Sequence, residues 1–172
     1  MSKLAVVSLL LLPVLASCEG VGAVYVVRHA DRDGSQDALL DPEGVMRAQA
    51  LADELSNNNV AAIFSTNTVR TTSTAQPLAD DLGLTVQLYG SPAQVVETVQ
   101  TSFTEQVVLI VGHSNTVPEI ITEFGADLPT DLPLDASGHL HELDFDNLEL
   151  VLFNAGGGAS AFHSTYGAPT AP

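Results

Sequence analysis

Val24-Tyr25-Val26-Val27-Arg28-His29-Ala30-Asp31 is the stretch that decides how this 172-residue chain is read. Its first four residues are apolar with no polar alternation, as in a strand covered on both faces, and the run then breaks into a guanidinium and an imidazole. Residues 60–64 and 107–111 are apolar runs of the same kind. One breaks off into Ser65 and Arg70, the other into Gly112-His113-Ser114-Asn115.

Helical patterns separate these runs. Asp41-Pro42 opens the first, with Val45, Ala48, Leu51, Ala52 and Leu55 expected on its inward face. A second starts near Thr68, turns Ala75, Leu78, Ala79 and Leu82 inward, and carries Pro77 inside it. Residues 85–89 read as a strand. Ser91-Pro92 starts a third helix with Val95, Val96 and Val99, and Asn115 or Thr116 caps a fourth with Ile120, Ile121 and Phe124 buried. Alternation in residues 140–145 and 148–153 around Asp146-Asn147 predicts an antiparallel hairpin, and residues 159–166 a last strand. The expectation is one three-layer α/β/α domain over residues 23–166, with a mostly parallel mixed sheet and antiparallel strands at its carboxyl end. Residues 167–172 read as a flexible tail.

The amino terminus reads as an address. Residues 1–17 combine Lys3 with an apolar core too short to span a bilayer, which predicts a signal peptide. They lead into Leu15-Ala16-Ser17-Cys18, which resembles a bacterial lipobox, so the chain's one cysteine is expected to be lipidated. Residues 18–22 form a short tether. The expected location is therefore extracytoplasmic, with the domain held at a membrane through Cys18.

The formal charge is −16. Such acidity argues against a nucleic-acid partner and against adhesion to anionic lipid through a basic face. Without its leader the chain has no lysine, and its only permanent side-chain cations are Arg28, Arg32, Arg47 and Arg70. Arg47, on the first helix, is expected to make an exposed pair of little energetic weight.

In an open α/β sheet, ligands collect beyond the carboxyl ends of the strands. His29, His113, Arg28 and Arg70 converge on that rim, where phosphate is the partner whose geometry suits a planar guanidinium. Arg28-His29-Ala30 after a strand, Ser65 with the run Arg70-Thr71-Thr72-Ser73-Thr74-Ala75, and Gly112-His113-Ser114-Asn115 together resemble the signature segments of the histidine phosphatase superfamily, with its phosphoglycerate mutase-like fold. The resemblance implies a phosphomonoesterase that works without a metal or other cofactor on a small phosphorylated substrate. It makes His29 the nucleophile that forms a phosphohistidine, with Arg28, Arg70 and His113 holding the phosphoryl oxygens. The backbone N–H groups after His113 are expected to help. No room remains between Arg70 and His113 for the lid of larger members, which leaves the site open. Glu97 is the first candidate for the acid that protonates the leaving group, and Asp31 the second. Arg32 falls near a second phosphate-binding position of one branch, or else pairs with Asp31 or Asp33.

Two other readings use different residues. Ser114, one residue short of a nucleophile elbow, with Asp135 or Asp144 and His163, follows the chain order of an α/β-hydrolase triad. A binding protein that kept the phosphate pocket without turnover is also compatible with the fold class. His139 and His141 share a spacing suited to a metal, but an exposed edge strand accounts for them better.

Overall fold

β1 (Ala23–Arg28) lies inside the sheet, with β4 (Val107–Gly112) parallel on one side and β5 (Asn147–Phe153) antiparallel on the other. The computed structural model describes residues 22–32, 34, 39–154 and 156–170. With β2 (Val60–Thr66), β3 (Val86–Tyr89) and β6 (Ala159–Thr165) the sheet has the order β3-β2-β4-β1-β5-β6. The four strands from β3 to β1 are parallel, so their carboxyl ends share one edge; β5 and β6 supply the antiparallel end.

Both faces are covered, which explains the missing alternation. Along β4, Leu109 and Val111 pack toward α1 (Pro42–Leu55) and α2 (Val69–Leu82), meeting Leu51, Leu55 and Leu78. Val108 and Ile110 face the other way, toward α3 (Pro92–Ser102) and α4 (Thr116–Glu123), meeting Val95, Val99, Ile120 and Ile121. Helix starts follow the local chemistry. Asp41 Oδ1 accepts from the Gly44 N–H at 2.8 Å, Ser91 Oγ accepts from Gln94 N–H at 3.3 Å, and a proline follows each cap.

Three expectations need correction. On α1, Ala48, Leu51, Ala52 and Leu55 are buried as expected, but Val45 is exposed and Gly44 and Arg47 take the inward positions of the first turns. Gly44 is there because α1 seats directly on the Asp31 carbonyl, which any Cβ at that position would strike. Residues 140–145 form no strand; the antiparallel hairpin is β5 with β6. Leu140 is buried as a loop residue, its N–H donating to the Ser114 carbonyl, so its apolar character served loop packing and not a ladder. Finally, the segment after β6 is tied down as far as Thr170, whose N–H and hydroxyl donate to the two carboxylate oxygens of Asp146 at 3.1 and 2.6 Å. Cys18 and the rest of the amino-terminal leader lie outside the described residues.

Candidate active site

Three strand ends bring the cup together. His29 follows β1, and its N–H donates to the Gly112 carbonyl, locking it beside the end of β4. The Ala30 N–H donates to Thr74 Oγ1, and that hydroxyl donates to the Arg70 carbonyl, so the first and second segments are tied through one threonine. Gly112 is required for a similar reason: a Cβ there would crowd Thr116 Oγ1, which accepts from the His113 N–H at 2.8 Å.

The hydrogen bonds fix both imidazole tautomers. His29 Nδ1 lies 2.9 Å from the Ala30 carbonyl, an acceptor only, so Nδ1 carries the proton and the Nε2 lone pair is open. His113 Nε2 lies 2.9 Å from Thr66 Oγ1, whose own hydrogen goes to Thr71 Oγ1, so His113 donates from Nε2. Its Nδ1 lone pair then faces Arg70 Nη2 at 3.4 Å. The two rings meet edge to face with centroids 5.4 Å apart.

Electrostatics agree with that assignment. Burial first, then the charges of Arg28 and Arg70, lower the His29 pKa to about 3 against the pull of the Ala30 carbonyl. His113 is lowered to about 4, by burial and then by Arg70, Arg28 and Arg32. Both rings are therefore neutral at neutral pH. Arg32 belongs to this field, since its charge bears on Arg28 and His113.

Arg28 is buried in an unusual way. Its Nη1 donates to the carbonyls of His141, Glu142 and Asp144 at 2.9 to 3.1 Å, and the Phe145 ring lies 4.1 Å from its guanidinium carbon. Its Nε is buried without a hydrogen-bond acceptor among the described residues, the kind of orphan donor that an anion's oxygen satisfies. Burial lowers even this guanidinium to about 10. The 141–145 segment was not expected here. The only signal for it in the sequence was the isolated Phe145, read as a strand residue.

The remaining candidates separate. Asp31 does not face the cup with a free carboxyl: Arg47 Nε donates to its Oδ2 at 2.5 Å and Nη2 to its Oδ1 at 3.4 Å. Arg47 is correspondingly buried, not exposed as expected, and its Nη1 also donates to the carbonyls of Tyr166 and Ala168. Glu97 is exposed on α3, turned away from buried Val95, Val96 and Val99, and its charge is not among those that bear on either histidine. Among the described residues, the carboxylates whose charges bear on Arg28 are Glu142, Asp144 and Asp31, the last already held by Arg47. The first N–H groups of α4, on Thr116 and Val117, turn back to the His113 carbonyl and are not offered to a ligand.

The hydrolase triad is not assembled. His163 Nδ1 pairs with Glu149 across β5 and β6, and Asp135 is occupied by the N–H groups of Ser137 and His139. His139 and His141 are exposed on a loop, and no cluster of metal-ligating side chains occurs among the described residues.

Comparison with known proteins gives the same picture. Residues 24–90 match the sequence model of the histidine phosphatase superfamily, branch 1. No curated protein matches at a significant level. Among solved structures, the protein histidine phosphatase SixA in complex with tungstate is similar at 16% identity and TM-score 0.64, covering 83% of this chain and 96% of its own. The mycobacterial glucosyl-3-phosphoglycerate phosphatase is similar at 14% identity and TM-score 0.60, covering 86% of this chain and 99% of its own. Phosphoserine phosphatase from Entamoeba histolytica, in complex with 3-phosphoglyceric acid, shows 15% identity and TM-score 0.59 over 86% of this chain and 97% of its own. The matched segment carries the His29 and Arg70 motifs, and the fold shared with these phosphatases runs on through the strand that presents His113.

Proposed function

We propose that this protein is a phosphomonoesterase that works through a phosphohistidine on His29. The observation that carries the reading is the Nδ1 bond to the Ala30 carbonyl, which leaves a neutral imidazole with Nε2 open inside a ring of arginines. Nε2 attacks phosphorus in line with the ester oxygen; the N–P bond forms as the P–O bond breaks, and the departing oxygen keeps the electron pair and takes up a proton. Arg28, with its orphan Nε–H, and Arg70 hold the phosphoryl oxygens as charge builds on them. His113 is held at the same rim by its Nε2 bond to Thr66, and the phosphate dianion, opposite in sign to the arginines that depress its pKa, raises its proton affinity so that Nδ1 takes up a proton and becomes a donor as well. Water then cleaves the N–P bond and releases inorganic phosphate. For the acid, Glu142 and Asp144 are better placed than Glu97, because their charges act at the Arg28 side of the cup and, unlike that of Asp31, are not paired with Arg47. No metal enters any of these steps.

The test is turnover of p-nitrophenyl phosphate by the domain in the presence of EDTA, with an acid-labile, base-stable phosphoenzyme trapped by rapid quench. His29→Ala is expected to abolish both turnover and trapping; a phosphoenzyme that persists in this variant refutes the assignment. Membrane attachment through a lipidated Cys18 remains part of the proposal, supported by the lipobox resemblance alone. Its check is metabolic labelling with a fatty acid, lost on Cys18→Ala.

A further inference from the structure

Next to the cup, the start of α1, the 143–145 segment and residues 168–170 enclose a cavity of about 510 Å³, large enough for a small organic group. Phe145 belongs to both spaces. Its ring lines the cavity and also lies 5.9 Å from the His29 ring and against the Arg28 guanidinium. A phosphoryl group seated in the cup therefore has this cavity as its neighbour.

The lining has a definite character. Met46 and Leu143 are large apolar side chains, 64% and 53% exposed, and Pro169 adds a third apolar surface. At its base the charges of Asp31 and Arg47 cancel in one ion pair. Among the described residues, Glu43 is the remaining charged residue on the wall. A cationic cup is thus joined to a cavity that is apolar with a residual negative charge.

We propose that this cavity receives the alcohol part of the substrate and selects phosphomonoesters of apolar alcohols or phenols over those whose leaving group carries a carboxylate. The inference rests on the phosphomonoesterase reading. An apolar group gains by covering Met46, Leu143 and Phe145. A carboxylate there loses water against those side chains and meets the charge of Glu43.

The experiment compares kcat/KM for 1-naphthyl phosphate with that for 3-phosphoglycerate and phosphoserine, in wild type, Leu143→Lys and Glu43→Gln. Wild type is expected to favour the naphthyl ester at least tenfold, mainly through KM. Leu143→Lys is expected to raise KM for the naphthyl ester about tenfold and lower it for 3-phosphoglycerate, with the inhibition constant of inorganic phosphate unchanged because the cup is intact. Glu43→Gln should improve only the carboxylate-bearing esters, by a few fold. Turnover that depends on His29 but treats the esters alike, or a Leu143→Lys effect equal on all of them, overturns the cavity's role and leaves the phosphatase reading standing. Absence of turnover with every ester, although inorganic phosphate still binds, overturns both.

Discussion

Two buried arginines lie at the end of β1, and they are neutralised in different ways. Arg47 meets a carboxylate: Asp31 accepts two of its N–H groups, and backbone carbonyls from the 166–168 segment take another. Among the described residues Arg28 meets only carbonyls through Nη1 and the face of Phe145. Carbonyl dipoles fix a guanidinium in place without cancelling its charge, whereas a carboxylate fixes it and removes it from the field. The carbonyl arrangement leaves a positive potential for a ligand to occupy; the carboxylate one joins the loop after β1, α1 and the carboxyl-terminal segment into one clamp.

The largest effect expected from this contrast is on Arg28. Arg28→Lys should lower kcat/KM roughly 10²–10³-fold, because an ammonium cannot hold the three carbonyls and also present a second face to phosphate. Inorganic phosphate should cease to raise the melting temperature of this variant. Arg47 should behave in the opposite way. Arg47→Met leaves the half-buried Asp31 carboxylate without its partner, at a cost of about 3 kcal/mol in urea denaturation, and the double variant with Asp31→Asn should recover most of that loss. If Arg47→Met instead lost turnover at full stability, the division between a ligand-holding and a structural arginine would fail.

A smaller effect concerns protons. Because His113 is depressed to about 4 by burial and by three arginines, a bound dianion should raise its proton affinity, so phosphate binding near pH 6 should take up a fraction of a proton. Titration calorimetry in two buffers of different ionisation enthalpy measures that directly. The same shifts govern stability. The folded chain holds fewer protons on His29 and His113 than the unfolded chain does below 6.5, so their contribution is complete above pH 6.5 and is lost as pH falls toward about 4 and about 3. Saturating phosphate should flatten that decline.

The sequence revealed most of this arrangement where physics is local. Doubly covered strands show as unbroken apolar runs, and caps such as Asp41-Pro42 and Ser91-Pro92 declare helix starts within a residue. The convergence of His29, Arg70 and His113 follows from parallel strands sharing an edge. What stayed hidden depends on partners distant in the chain. Arg47 has the look of a solvated helix residue until α1 seats on the Asp31 loop through Gly44. Phe145 and its neighbours alternate like a strand, yet their carbonyls belong to Arg28, more than a hundred residues away. Asp31 has the chain position of a catalytic acid, and only the fold shows that its oxygens are already occupied.

A second buried ionic pair, on β5, sharpens the comparison. Glu149 is fully buried on β5, with Oε1 2.8 Å from His163 Nδ1 and Oε2 without a hydrogen-bond partner among the described residues. It stands between the two arginines' arrangements, since its partner satisfies only one oxygen. Burial accordingly raises its pKa to about 7 despite the His163 bond, with Asp131 pushing in the same direction. The sign is opposite to that of the cup histidines. Between pH 4.5 and about 7 the folded chain holds a proton that the unfolded chain has released, so the contribution is complete below 4.5 and is lost as pH rises. Glu149→Gln removes this slope and leaves that of His29 and His113. We expect the variant to match wild type near pH 4.5, to exceed it by about 1–2 kcal/mol at pH 8, and to keep its kcat. A variant less stable than wild type at pH 8 would show that the ionised pair with His163 is a net asset, and that a carboxylate answered on one oxygen alone is enough to hold this edge of the sheet.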